Sequence, residues 1–409
     1  MNRKKTLILF LVGIVSYQFL MGMLGLRETA IYFITNPYNI FIIFALLSFL
    51  DIVSRTKLNK VALPTILIVS FAIVVIIFNY IPYKEFPFNL IKNLQYFWGP
   101  IFLVSGFVFF LKLTTAQKFK YQSINETFVS YVLFVAATIT FAEYIYVNVL
   151  ILPIEYLGHI TEISNEFGIA SSSRFFIMRP FGITSYPQPN GVILTALISL
   201  NYLYKRRIDW LCLYGFMALL ITFTGTAYLA FLMMLPLLTK RPFLHATYSG
   251  LALIATTIMM DYIKDYNVVF YKLSFSYIEY NVFERFQVLV IDNFMSNFTL
   301  VNYLFGSSEP NFNVGTGVTH DYAYFDVFYE GGIVALIAYI ALYSFIVRYS
   351  LSEQIKKGHA YYFTIVMLIA NIHYPTLNFY VGQFLFSILA AINFWMRTPM
   401  RNIAFYYAK

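Results

Sequence analysis

Long apolar runs separated by short polar joints make up most of the chain. An α-helix that crosses a hydrocarbon core roughly 30 Å thick needs about 17 to 25 consecutive apolar residues. Runs of that kind fall near residues 6–25, 34–53, 61–82, 94–113, 127–152, 189–204, 208–224, 225–239, 243–262, 322–347, 359–375 and 378–396. In lipid every backbone polar group has to be satisfied within its own segment, which selects helices over any irregular alternative. The pattern therefore predicts an all-α fold, a polytopic transmembrane bundle of about 12 helices, organised as a single membrane domain over 1–409.

Most joints are short. The one between the seventh and eighth runs, "TFTGT", has no room for a polar loop and predicts a tight hairpin. Two joints, 153–188 and 263–321, are long, and loops beyond about 12 to 15 residues are usually functional. The first contains "NEFGIASSSRFFIMRPFGITSYPQPNG", whose Pro and Gly forbid a continuous helix, so Arg179 falls on irregular backbone just before the sixth run. The second opens with an alternating stretch, "YKLSFSYIEY". It continues through "NVFERFQVLVIDNFMSNF", where Phe283, Phe286, Val290 and Phe294 stand near helical spacing and read as an interfacial helix. It ends in the Gly-, Ser- and Asn-rich "FGSSEPNFNVGTGVT".

Composition agrees with a membrane protein: 60% of residues are hydrophobic and 11% charged, against about 45–50% and 25% in soluble domains. A net charge of +9 would suit a polyanionic partner, but the basic residues cluster in alternate short joints. Arg3, Lys4 and Lys5, then Lys205, Arg206 and Arg207, then Lys356 and Lys357 are examples. Positive-inside topology explains that clustering without any nucleic acid and places both termini on the cytoplasmic side. The first run follows basic residues as a signal peptide would, yet it is too long and no small-residue cleavage pattern follows it, so it reads as a retained helix. Cys212 is the sole cysteine and lies inside an apolar run, which removes disulfide frameworks and Cys-based metal sites. The 35 Tyr and 44 Phe suit interfacial belts.

The candidate chemistry lies on the outer side. Arg179, Arg285 and His320 stand on separate outer segments, each near the start of an apolar or interfacial helix. A guanidinium pairs with phosphate through two parallel hydrogen bonds and keeps its charge. Both arginines could instead reach lipid headgroups or pair with Glu166 and Glu284, and the two readings stand side by side. His320, with an ordinary pKa near 6.5, can take a proton from a hydroxyl at neutral pH, or it can simply cap a helix. Asp321 reads as a cap of the tenth helix. Asp326 and Glu330 are four residues apart on one face within an apolar helix, where carboxylates face a polar cavity or a partner, and Glu143 belongs with them. There is no HExxH, no clustered His and no Asp-x-Asp in an outer loop, so neither a metal nor a cofactor is expected.

Arg179, followed by Gly182, Pro187, Pro189 and Asn190 at the mouth of a helix, then Arg285, "FG" at 305–306, His320-Asp321 and "EGG" at 330–332 form an ordered set. This set resembles the bacterial O-antigen polymerases and the related O-antigen ligases over roughly residues 174–345. The resemblance implies a GT-C-like helical membrane glycosyltransferase with two large periplasmic loops in the bacterial inner membrane. It also implies an undecaprenyl-pyrophosphate-linked glycan as donor, metal-independent chemistry, membrane lipid as surroundings and a polysaccharide chain-length regulator as partner. Carried over residue by residue, Arg179 and Arg285 hold the leaving pyrophosphate and His320 activates the acceptor hydroxyl. Asp326, Glu330 and Asn190 then contact substrate. A polymerase is the leading expectation; a ligase acting on lipid A core and a transporter or flippase for lipid-linked sugars are the alternatives. A transporter calls for charges in mid-helix on several runs, whereas these gather in loops and helix mouths.

Overall fold

The computed structural model describes residues 3–24, 99, 102–103, 106, 123–152, 178–184, 186–284, 286–287, 291–292, 295, 298–307, 322–372, 376–377 and 379–397. All regular structure among them is helical. The chain opens with α1 (Arg3–Val15) and α2 (Tyr17–Met23), then α3 (Ile124–Tyr144), which continues as a π-helical turn over Ile145–Val149. Next come α4 (Pro187–Lys205), α5 (Trp210–Leu220), and α6 (Gly225–Met234) with a 3₁₀ extension over Leu235–Leu238. α7 (Pro242–Ile263) leads into the short α8 (Val268–Leu273), α9 (Phe275–Glu279) and α10 (Leu300–Phe305). α11 (Ala323–Tyr349), α12 (Lys357–Ala370) and α13 (Tyr380–Arg397) complete the set. The expected runs at 34–53 and 61–82 lie outside the described residues, as does most of 94–113.

Among the described residues, three helical stretches are long and apolar enough to cross a membrane by length and composition: α3 with its π-helical turn (Ile124–Val149), α7, and α11 taken from end to end. α4 and α13 form the centre. Every residue of α4 from Pro187 to Asn201 is buried, and α13 is buried from Tyr380 through Asn393. A helix apolar all round is one enclosed on all sides. α3, α5 and α6 pack around α4, while α1 and α11 pack on α13. α3 turns Phe128, Val132, Ala136 and Thr140 inward at four-residue spacing. α7 is the opposite case: Leu244, Tyr248, Leu251, Ile254, Ile258 and Met259 are exposed along it.

Polar contacts lock the two ends of the bundle. At one end Lys4 donates to Ser123 (2.6 Å), Asn125 to Asn393 (2.6 Å), Asn393 to the Ser350 carbonyl (2.8 Å) and Tyr204 to the same carbonyl (2.7 Å). Lys205 pairs with Asp209 at 2.7 Å, and Asp209 in turn caps α5 by accepting from the Cys212 amide. Burial works to raise the Asp209 pKa, but the bonds from Lys205 and Cys212 outweigh it and hold the carboxyl below its usual range. These joints carry the basic residues. The opposite end holds 178–184, the turn 222–224 and the joint after α7.

Two expectations change. The run 322–347 is not one continuous helix: Gly332, at φ 63° and ψ −163°, breaks α11 into an outer arm and a long inner arm. That conformation is essentially restricted to glycine. The break is also a crossing point, because a Cβ on Gly332 would strike the backbone of Leu304 and Phe305, and one on Gly306 (φ 88°) would strike the backbone of Glu330. Ser307 N–H donates to the Tyr329 carbonyl at 2.7 Å across the same crossing. The "FG" and "EGG" motifs are therefore two halves of one backbone joint. The alternating stretch 271–280 is helical: it runs through the end of α8 and through α9, which Ser274 caps by accepting from the Tyr277 amide. Secondly, the run at 6–25 is interrupted at Ser16, between α1 and α2.

Candidate functional site

α3 reaches the end of the bundle opposite the basic joints and grips the segment 178–184 with two side chains and Asn190 with a third. Glu143 is buried, and its Oε2 accepts from the Phe181 and Gly182 amides at 2.7 and 2.8 Å. Asn148, on the π-helical turn, donates to the Met178 carbonyl and accepts from the Met178 amide, both at 2.8 Å. Thr140 accepts from the Asn190 side-chain amide at 3.0 Å. Pro180 and the upcoming Pro187 leave this stretch unable to satisfy its own backbone as a helix, and α3 supplies the missing acceptors and donors. A carboxylate that accepts two amides makes the stronger, charge-assisted kind of bond.

The clamp fixes Arg179. It is 2% exposed although it belongs to no helix. Next to it Gly182 adopts φ 58°, and a Cβ there would collide with the Asn190 side chain. Gly182 and Asn190 are thus neighbours in space as well as in the motif, and Asn190, fully buried, braces the turn that follows Arg179. Above α4 the turn Thr222–Thr224 closes the hairpin expected from "TFTGT"; Thr224 donates to the Pro187 and Thr222 carbonyls (3.3 and 3.1 Å). Its hydroxyl makes no capping bond to α6.

A residue that sequence reasoning passed over comes within electrostatic reach of Arg179. Lys272, on α8, is 3% exposed. Its Nζ donates to the Tyr277 hydroxyl at 2.9 Å and lies 4.3 Å from the centre of that ring. Desolvation first, and the Arg179 charge second, push the Lys272 pKa down to about 7. Arg179 also acts electrostatically on Tyr228 in the first turn of α6. In the sequence Lys272 looked like any loop lysine. The sole local hint was Gly225, whose absent side chain lets the Lys272 carbonyl approach to 2.6 Å from where a Cβ would stand.

Asp326 and Glu330 lie on the outer arm of α11 and are both buried, at 2% and 4% exposure. The Gly332 break folds that arm back so that Tyr324 rests on Tyr339 (ring centres 5.8 Å apart) and Asp326 comes within electrostatic reach of Tyr339. Tyr322, Phe325 and Tyr329 pack with Phe286, Met295 and Phe298 on this arm. Asn371 tethers the neighbouring turn: it donates to the Tyr339 hydroxyl (2.9 Å) and accepts from the Leu377 amide (2.8 Å). Arg285, His320 and Asp321 lie outside the described residues. No family model, no curated protein and no solved structure matches this chain.

Proposed function

We propose that the protein is a multi-pass membrane glycosyltransferase that extends lipid-linked oligosaccharide repeat units into a surface polysaccharide of the O-antigen type. In this reading the chain forms about 12 membrane spans in the bacterial inner membrane, with both termini cytoplasmic and the loops at 153–188 and 263–321 periplasmic. One observation carries it. Arg179 is a buried cation on non-helical backbone, and α3 commits Glu143 and Asn148 to holding that backbone still. Irregular backbone at the edge of an apolar bundle is tolerated where it lines a cavity, and a cation held there suits a phosphate-bearing ligand.

The reaction in this reading is glycosyl transfer to an acceptor hydroxyl. The acceptor sugar hydroxyl attacks the anomeric carbon of the undecaprenyl-pyrophosphate-linked donor while the bond from that carbon to the pyrophosphate oxygen breaks. His320 takes the hydroxyl proton. Arg179 and Arg285 neutralise charge as it grows on the departing pyrophosphate, an effect realised mainly in the transition state. Asp326 and Glu330 orient the acceptor, and Asn190 supports the turn beside Arg179. A chain-length regulator and bilayer lipid are the partners in this reading.

Extension of a purified lipid-linked repeat by the purified protein is the decisive experiment. Arg179→Ala and His320→Ala are each expected to slow extension by roughly 10²-fold or more, as loss of one charge-stabilising or proton-transferring group does. Normal long-chain product from Arg179→Ala sinks the assignment. A deletion strain separates extension from transfer of finished chains: single repeats on lipopolysaccharide mark a lost polymerase, and none at all marks a lost ligase.

A further inference from the structure

α4, α5 and α6 leave between them an apolar groove that the proposed reaction does not use. Its volume is about 210 Å³. Ile198 on α4, Cys212 and Phe216 on α5, Phe231 on α6 and Leu235 just after it form much of the wall. Ser199 and Tyr202 supply the two side-chain hydroxyls in the lining.

The lining residues also fix how the groove lies. On α4 it extends from Ile198 to Tyr202, close to the helix end at Lys205; on α5 it starts at Ile208 in the joint and runs to Phe216; on the third wall it runs from Phe231 to Leu238. At 1.5 Å per residue each wall reaches roughly 10 Å inward from the joints, a depth within one leaflet of a hydrocarbon core roughly 30 Å thick. Ile208, Leu213 and Leu238 leave the rim exposed. Trp210, exposed at the start of α5, suits the membrane–water boundary, where tryptophan collects.

Basic side chains stand at the joint end. Arg207 directly precedes Ile208, and Thr239 alone separates Leu238 from Lys240 and Arg241. Consecutive Cα atoms are 3.8 Å apart, so Arg207 starts about 4 Å, and Lys240 at most about 8 Å, from a residue of the wall. Arg207, Lys240 and Arg241 are exposed, and among the described residues none of them makes an ion pair. Asp209, the carboxylate of the α4–α5 joint, is engaged by Lys205 and the Cys212 amide. The mouth of the groove is therefore cationic while its walls are apolar. An anionic lipid has the complementary layout, with its acyl chain inward and its phosphate at the boundary. A zwitterionic headgroup brings its own cation and gains less from these bases.

We propose that the groove between α4, α5 and α6 holds an acyl chain of an anionic phospholipid, with Arg207 and Lys240 holding the headgroup phosphate at its mouth. The bound chain fills a gap beside the central helix α4. The site lies at the end of the bundle away from Arg179, and it requires that these helices stand in a bilayer but not that the protein transfers glycan.

The test uses the full chain in nanodiscs doped with a phospholipid bearing a photoreactive diazirine on its acyl chain and either a phosphatidylglycerol or a phosphatidylcholine headgroup. Crosslinked peptides are identified by mass spectrometry. The exposed face of α7, with Leu251, Ile254 and Ile258, reports bulk lipid in the same sample. In wild type the labelling of groove peptides relative to α7 is expected to be at least about 5-fold higher with phosphatidylglycerol than with phosphatidylcholine, the preference that one basic residue near the surface confers. Arg207→Gln combined with Lys240→Gln is expected to remove that preference, while Lys205, Arg206 and Arg241 remain to hold the topology. Leu213→Trp fills the groove from its exposed rim and is expected to lower labelling of the facing α6 peptides by both lipids while sparing α7. A thermal melt of each variant separates loss of the site from loss of the fold.

Groove labelling by phosphatidylglycerol that is no stronger, relative to α7, than by phosphatidylcholine overturns the proposal. So does a preference that survives the double glutamine variant. A groove that neither lipid labels is covered by protein, and that outcome overturns it as well.

Discussion

Glu143 illustrates how a single carboxylate can shape a site it does not enter. Its one oxygen holds two consecutive amides, so Glu143→Gln keeps the volume and loses the charge. Hydrogen bonds to a charged group contribute about 1.5 to 3 kcal/mol. The variant is expected to unfold at lower temperature by a comparable free energy and to extend glycan more slowly, through a displaced Arg179. A Glu143→Gln protein with unaltered stability and rate would separate the clamp from the chemistry. Lys272 makes a second, pH-linked prediction for the empty protein. Its folded pKa is about 7, below the roughly 10.4 of an unfolded lysine, so between those values the unfolded chain holds one more proton. Stability therefore rises with pH across that window, and Lys272→Met is expected to flatten the rise in a urea or thermal titration. The sequence set Glu143 apart as a carboxylate inside an apolar helix that needs a cavity or a partner, without identifying the Phe181 and Gly182 amides as that partner, and Lys272 was one more loop base. Burial and partners define both, and those come from segments far away along the chain.

At the scale of elements the informative object is the joint between α10 and α11. Gly306 and Gly332 each adopt positive φ, and each backbone occupies the space that a side chain on the other would need. Gly332→Ala is expected to cost more than the about 1 to 3 kcal/mol of a strained backbone conformation, because the clash is with main chain, which cannot move aside. Gly306→Ala disturbs the same contact, so the double variant should cost less than the two singles added together, a coupling that a thermodynamic cycle measures. Additive losses would show two independent sites. Helix positions were legible from apolar runs to within a few residues: α4, α7 and α13 fall close to 189–204, 243–262 and 378–396. The break in α11 was not, since "EGG" inside an apolar run fits a tolerated helical glycine as well as a crossing point. What distinguishes them is the second backbone lying against it.

For the whole molecule, the distribution of burial separates a central pair, α4 and α13, from a rim that includes α7. In a bilayer the rim faces lipid, and apolar side chains gain nothing by leaving it. Polar pins such as Asn125–Asn393 and close backbone contacts then carry more of the specificity. Ile254, 56% exposed near the middle of α7, tests the orientation. Ile254→Arg is expected to reduce membrane insertion or folded yield in proportion to about 2.5 to 3.5 kcal/mol, the cost of a charge at mid-helix in lipid. Wild-type yield would place that face against water.

The sequence by itself determined the all-helical class, the positions of most of the described helices and the end of the bundle where basic joints collect. Those depend on composition and period along a local stretch, and lipid or core burial reads both without reference to any partner. It also singled out Arg179, because prolines and a glycine on either side forbid a helix there. Only the tertiary structure decided what holds the backbone around Arg179, that Gly182 answers Asn190, that "FG" answers "EGG", and that Lys272 is buried within electrostatic reach of Arg179. Each of these is a meeting of segments distant in the chain, set by which backbones can approach closely and which buried charges must share one low-dielectric space.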